Sequence, residues 1–341
     1  MGYTMSPVSS ATPKNRDVYL DCARGIGILL VVCTHMQRGM NDARLLDGTY
    51  PFAGIDYALC TVARSLFFLL AGFHVSSSLQ KGEMRFLQSK LWTIVMPYFL
   101  WSVIQGTVQV MMSGGVNHPL HFSDWPRLFF APIGQFWFLY ALMIWHLLAM
   151  VANRASVNLM ILAVLAFVLS SSVPNEFFGM VMKMGVFYAF GVIHSRNLDM
   201  YLKFLENKSI FIAATLCFAL AVVLARQFGP SEAWTALPAA FLGCALVLAM
   251  AHKIENMGIG KVFAYLGLVS MPIYLMHILA GSGTRIVLMR FHVHSVPFHL
   301  VAGVAAGIIV PIAVHAVYQK VKLQRQKKPV IVAPVGFTLE V

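Results

Sequence analysis

The sequence predicts an all-α integral membrane protein with about ten transmembrane helices and both termini cytoplasmic. Of its 341 residues, 59% are hydrophobic and 11% are charged, whereas about 25% are charged in soluble domains. The mean hydropathy is +0.74. The apolar residues fall in blocks of about 17–25, the length at which a helix crosses about 30 Å of hydrocarbon. A soluble core of this size would need more charged residues to cover it.

Each of the ten apolar blocks is bounded by polar or turn-forming residues, such as Gly114-Gly115 or Pro174-Asn175. In chain order the blocks are 18–36, 53–74, 91–112, 136–152, 156–173, 178–194, 209–226, 235–252, 262–281 and 299–318. Because the fourth to sixth blocks are short and could merge or re-enter, the pattern is consistent with nine to eleven spans.

The blocks divide the chain into three parts: a cytoplasmic segment, 1–17, a membrane domain, 18–319, and a basic cytoplasmic tail, 320–341. Residues 1–15 are polar and lack the apolar segment of a cleavable signal peptide. We therefore expect the first helix to be an uncleaved membrane anchor.

The placement of lysine and arginine predicts the orientation. With both termini cytoplasmic, sixteen of these residues lie in inside segments and six lie outside, the positive-inside bias. The net charge of +12 is then explained by topology and by contact with anionic headgroups. No nucleic-acid partner is expected, because no basic stripe is interleaved with exposed aromatic residues. None of the five cysteines forms a CxxC pair, so neither a disulfide framework nor a metal site is predicted.

The first helix carries the densest set of ionisable residues, Asp21, Arg24 and His35. Such residues are costly within hydrocarbon and therefore indicate function. Arg24 and His35 are separated by three helical turns, so they share a face at about 16 Å along the axis, and Asp21 can neutralise Arg24. In the alternative interpretation, the Asp–Arg pair reaches the inner headgroups and His35 lies at the outer interface.

The ninth predicted helix carries Ser270, Tyr274 and His277 on one face, at i, i+4 and i+7. Because this helix runs in the same direction as the first, His277 is expected at the depth of His35. Pro272 is expected to kink the helix near Ser270. The alternative is an interfacial Tyr and His at a helix end.

Arg85 and Lys90 lie at the predicted inner mouth of the third helix, where they either set topology or bind phosphates. Arg64 is predicted in the middle of the second helix, with Asp56 as its expected partner two turns away. Trp137 is expected in the outer aromatic belt.

The stretch from Arg24-Gly25 through an apolar run to His35 resembles the first helix of the acyltransferase-3 family. These proteins are bacterial ten-helix membrane O-acyltransferases that modify cell-surface glycans, so the resemblance implies the inner (plasma) membrane of a bacterium. An Arg followed by ten residues and a His is the most characteristic signature of that family.

Further stretches resemble the family in the same order along the chain. FFLLAGF at 67–73 is similar to the second-helix motif, with Ala71 where Ser is more usual. Lys90, ahead of PYFLW at 97–101, stands where the family more often has Arg. FWFLYAL at 136–142 and the group on the ninth helix also resemble family stretches.

The resemblance implies transfer of an acyl group, usually acetyl, from cytoplasmic acetyl-CoA to a sugar hydroxyl, as in O-acetylation of exopolysaccharide. The acceptor would be a glycan or a lipid-linked saccharide, and acetyl-CoA would be a co-substrate rather than a tightly bound cofactor. His35 would then be the general base. Arg24, oriented by Asp21, would bind the donor. Arg85 and Lys90 would hold its nucleotide end.

Tyr274 or Ser270, beside His277, would donate a hydrogen bond to the developing oxyanion. The competing hypothesis is a proton-coupled transporter, in which Arg24, His35, Arg64, Asp56 and Lys183 form a relay. Against it, the sequence shows no inverted halves with paired interrupted helices.

Overall fold

The computed structural model describes residues 17–46, 53–112, 125–126, 131–195 and 198–327. These residues form fourteen α-helices with short 3₁₀ and π turns, and this part of the chain contains no strand. The all-α prediction is therefore confirmed. Residues 1–16, which make up almost all of the predicted N-terminal segment, and residues 328–341 of the predicted tail lie outside the described residues.

Most of the long helices coincide with a predicted apolar block. They are α1 Val18–Asp42, α2 Ala53–Phe73, α3 Val75–Leu79, α4 Glu83–Lys90, α5 Met96–Met111, α6 Trp137–Arg154, α7 Leu159–Leu169, α8 Glu176–His194, α9 Leu198–Glu206, α10 Lys208–Phe228, α11 Leu237–Ile254, α12 Gly258–Leu268, α13 Ser270–Arg290 and α14 Val296–Lys327.

Within the described ranges, nine helical stretches are long and apolar enough to cross a membrane. They are Val18–Asp42, Ala53–Leu79, Glu83–Met111, Gly134–Arg154, Glu176–His194, Lys208–Phe228, Trp234–Ile254, Ser270–Arg290 and Val296–Gln324. The fifth predicted block is shorter than these, because its helical part is α7 with a 3₁₀ turn, together Leu159–Ser172. The chain is thus a polytopic membrane protein.

The predicted ninth helix, 262–281, is two helices rather than one kinked helix. Helix α12 ends at Leu268 and α13 begins at Ser270. Pro272 explains the break, because it has no N–H for the carbonyl of Leu268 and its ring would collide with that carbonyl in a continuous helix. In the first turn of α13, by contrast, proline leaves no hydrogen bond unmade.

Two helices extend beyond the predicted boundaries. Helices α4 and α5 join through a π turn at Leu91–Val95, so that helical structure begins at Glu83 rather than at residue 91. Helix α14 runs on to Lys327, past the predicted boundary between 319 and 320. Lysine, arginine and glutamine are good helix formers, so helices continue where apolar blocks stop.

Helix α1 is central and packs against α2, α11, α12, α13 and α14. Its closest neighbour is α12, because Gly25 and Gly267 let the two backbones meet. A Cβ at Gly25 would run into the carbonyl of Phe263, and one at Gly267 into the carbonyl of Asp21. This close approach, which the small residues allow, holds the Asp21–Arg24 turn firmly against α12.

Candidate active site

The predicted polar face of α1 lines a cavity of about 570 Å³. Arg24 and His35 both contribute to its wall, together with Val31, Thr34 and Arg38 of the same helix. The 3.6-residue period brings these positions to one side of α1. The remaining walls come from α2, α6, α8 and α13. The cavity therefore follows α1 from the Arg24 end to the Arg38 end.

Arg24 is held at its end of the cavity by two partners. Its Nη1 donates to Asp21 Oδ1 at 2.8 Å, as the i, i+3 spacing predicted. Its Nη2 lies 2.5 Å from Nε2 of His74, which follows the last residue of α2. A guanidinium has five N–H donors, so these two contacts leave others for an anionic ligand. The sequence did not single out His74, because the contact joins two helices.

His35 and His277 meet at the same depth, as their predicted parallel helices require. Their ring centroids are 5.1 Å apart. His277 Nδ1 lies 2.8 Å from the carbonyl oxygen of Tyr274 and 3.1 Å from that of Ile273. Because a carbonyl only accepts, Nδ1 carries the hydrogen and Nε2 of the neutral ring carries a lone pair. That Nε2 is buried and has no hydrogen-bond partner among the described residues.

Ser270 and Tyr274 also line the cavity, which brings together two of the three residues predicted on this face of α13. The Tyr274 hydroxyl donates to the backbone carbonyl of Gln135, in the 3₁₀ turn ahead of α6. Since a phenol has one hydrogen to give, donation to a substrate oxyanion would require Tyr274 to leave Gln135.

Gln135 itself was not predicted as a site residue. Its side chain exchanges two hydrogen bonds with that of Gln105 on α5, at 2.8 and 3.2 Å, and both residues are buried. Trp137 also lines the cavity, and its ring stacks on that of Phe68. The sequence signal was the polar Gly134-Gln135 pair directly before an aromatic run.

Lys90 and Arg85, the two predicted phosphate-binding residues, have different surroundings. Lys90 is half-buried and lies over the Phe86 ring, 5.2 Å from its centroid, and it also interacts electrostatically with His74. Arg85 is exposed. Neither residue lines the cavity. Their five-residue separation places them on different sides of α4, which explains why one is exposed and the other half-buried.

Two further arginines line the cavity, and one of the expected pairings is wrong. Arg38 Nη2 lies 3.1 Å from Oδ2 of Asp56. Arg64 instead pairs with Glu232 at 3.2 Å. Asp56 is therefore the partner of Arg38, a residue that the sequence analysis did not single out. These two ion pairs neutralise the charges of Arg38 and Arg64.

The relay of the competing transporter hypothesis is only partly assembled in this cavity. Lys183 and Asp56 are absent from the residues that line the cavity, whereas Arg24, His35 and Arg64 are present. The described residues also contain no group of three His, Cys, Asp or Glu side chains able to hold a metal ion. The site thus presents imidazole and guanidinium groups, which suit proton transfer and anion binding.

Comparison with known proteins gives one result that covers most of the chain. The family model described as an acyltransferase domain, acyltransferase-3, matches residues 17–316. No curated protein and no solved structure matches the chain. The match runs from the residue before α1 well into α14, far more than half of the sequence, and includes every residue that lines the cavity. The protein therefore belongs to the acyltransferase-3 family and is a membrane acyltransferase.

Proposed function

We propose that the protein transfers an acetyl group from cytoplasmic acetyl-CoA to a hydroxyl of a cell-surface or exopolysaccharide sugar, with His35 as general base. The observation that carries this proposal is the single cavity shared by Arg24 and His35. Their separation of about 16 Å along α1 is comparable with the length of an extended pantetheine arm. A donor held at Arg24 would therefore reach His35 with its thioester.

Donor binding would use the cation at the Arg24 end. Asp21 and His74 fix the guanidinium from two sides, and its remaining N–H groups suit a phosphate of CoA. Lys90, which interacts electrostatically with His74, would hold the nucleotide end. Arg85, exposed on α4, would add charge at the mouth. This arrangement needs no tightly bound cofactor, because the donor is consumed in each cycle.

The chemical step needs a base, because a sugar hydroxyl is a poor nucleophile. As the hydroxyl oxygen attacks the thioester carbonyl, one nitrogen of His35 would take its proton. The new C–O bond forms, the C–S bond breaks, and the imidazolium returns the proton to the CoA thiolate. His277 would position His35, since its unpartnered Nε2 can accept a hydrogen bond from the second nitrogen of the other ring.

The orientation of α1 in the bilayer would decide from which side each substrate enters. With both termini cytoplasmic in a bacterial inner membrane, α1 runs from the cytoplasmic side outward. Acetyl-CoA would then enter at Arg24, and the lipid-linked or polymeric saccharide would approach from the Arg38 end. The acetyl group would cross part of the membrane on the pantetheine arm.

The test is His35→Ala in purified protein and in cells. We expect acetyl transfer to fall by about 10²–10⁴-fold, the usual contribution of a positioned acid–base group, while acetyl-CoA binding persists. O-acetyl groups on extracellular glycan are measured by NMR. His294→Ala, which removes an exposed imidazole, is the matched control. Normal acetylation in His35→Ala would disprove the mechanism.

A second variant tests the donor site. Arg24→Ala should weaken acetyl-CoA binding, measured by calorimetry, whereas Arg290→Ala removes an exposed arginine of α13 and should not. Unchanged binding in Arg24→Ala would leave Arg24 with a purely structural role.

A further inference from the structure

A second cavity of about 310 Å³ adjoins the first at the Arg38 end of α1. His35, Arg38 and Gln135 line both cavities. The volume lies at the lower end of the range for small-molecule sites, about 300–1,000 Å³. His35 therefore stands where the two cavities meet and can face a ligand in each.

The two cavities border successive stretches of the same two helices, α1 and α13. On α13, Ser270–Tyr274 borders the first cavity, whereas Ile278–Ile286 borders the second. On α1, Arg24 belongs to the first cavity alone and Asp42 to the second alone. His277 lies between the two stretches of α13, beside His35. A ligand in the second cavity would thus approach His35 from the side opposite to Arg24.

The second cavity offers neutral hydrogen-bonding side chains that have no partner among the described residues. Gln109 of α5 and Ser282 of α13 line it and are partly exposed, and their side chains have no hydrogen bond to any described residue. Amide and hydroxyl groups can each donate and accept. Apolar side chains, among them Met36 and Ile278, form the rest of the wall. Such a mixture suits a ligand with hydroxyl groups on an apolar ring.

The charges of the second cavity are compensated. Arg285 is buried and interacts electrostatically with Asp42, and Arg38 pairs with Asp56. Arg285 reaches this position across Gly39, where a Cβ would collide with its guanidinium. A near-neutral lining with guanidinium and carboxylate groups favours a neutral polyol over a phosphate, which would require uncompensated positive charge.

We propose that the second cavity is the acceptor subsite and that it holds one sugar ring of the saccharide with a hydroxyl directed at His35. Gln109, Ser282 and Arg285 determine which ring and which hydroxyl are accepted. This inference rests on the proposed function, because it assigns the second substrate of the same reaction. Donor and acceptor then meet at His35 from opposite cavities.

Gly283 allows the subsite to be filled without disturbing the protein. It lines the second cavity, and a Cβ built on it meets no atom of the described residues within 4 Å. Gly283→Phe should therefore place a ring in the cavity while α13 stays intact. Gly258, where an added Cβ also meets no atom within 4 Å, borders neither cavity. Gly258→Phe is the matched control.

The assay uses membrane vesicles from the source cells, with their own extracted surface glycan as the acceptor probe and radiolabelled acetyl-CoA as the donor. In Gly283→Phe we expect label incorporation to fall by at least about 10-fold, while the acetyl-CoA Kd of the purified protein stays within about 2-fold. Gly258→Phe should match wild type in both measurements. In Gln109→Leu combined with Ser282→Ala, the apparent KM for glycan should rise about 3- to 10-fold per lost hydrogen bond.

The outcomes separate the two proposals. An unchanged glycan KM in the double variant, together with normal labelling in Gly283→Phe, would overturn the acceptor subsite while His35→Ala still tests the proposed function. If Gly283→Phe loses acetyl-CoA binding as well, the second cavity belongs to the donor and the subsite is wrong. If wild-type vesicles transfer no label to glycan, the proposed function and the subsite both fail.

Discussion

Replacing Tyr274 by Phe separates a structural role from a catalytic role for this hydroxyl. The hydroxyl donates to the backbone carbonyl of Gln135, and the Gln135 side chain is locked to Gln105 by two hydrogen bonds. Tyr274→Phe leaves a buried carbonyl without that donor, which costs about 1–3 kcal/mol. Loss of an oxyanion donor would instead reduce kcat by about 10²–10³-fold.

From the observed contact, we expect Tyr274→Phe to lower the free energy of unfolding by about 1–3 kcal/mol and to reduce kcat by less than about 10-fold. Denaturant unfolding in detergent micelles gives the first quantity, and acetyl transfer from acetyl-CoA gives the second. Tyr265→Phe, which removes an exposed hydroxyl on α12, controls for the chemical change. A 10²–10³-fold loss of kcat at unchanged stability would refute this reasoning and restore Tyr274 as the oxyanion donor.

Two further predictions concern the supports of the site. Gly25→Ala places a methyl group against the backbone of Phe263. The free energy of unfolding in detergent should therefore fall by about 1–3 kcal/mol, and acetyl-CoA binding should weaken. Gly258→Ala, whose methyl group meets no described atom within 4 Å, should change neither quantity. His277→Phe keeps an aromatic ring beside His35 but removes the Nε2 acceptor. We expect kcat to fall about 10- to 100-fold, the value of a hydrogen bond to a charged group, with the KM for acetyl-CoA unchanged and partial recovery in His277→Gln.

Different results would count against each of these two predictions. Equal stability of the Gly25→Ala and Gly258→Ala proteins would show that α1 and α12 can separate at no cost. An unchanged kcat in His277→Phe would show that His35 is positioned by other groups.

The sequence by itself determined the class of the protein and one face of the site. Hydropathy depends on local composition, so the apolar blocks predicted the nine stretches of the described residues that are long and apolar enough to cross a membrane. Helical periodicity is local as well, and it was sufficient to place Arg24 and His35 on one side of α1. The depth of His277 followed from the direction of the chain, and its ring meets that of His35.

Only the tertiary structure decided which helices meet and therefore which side chains are partners. Arg64 pairs with Glu232 although Asp56 is nearer in sequence, because α2 faces different neighbours at the two positions. His74, directly after α2, contacts Arg24 on α1. Contacts between helices depend on the close packing of side chains over the whole membrane domain, which no single periodic segment encodes. For the same reason the second cavity beside His35 emerged only once α1, α5 and α13 were packed together.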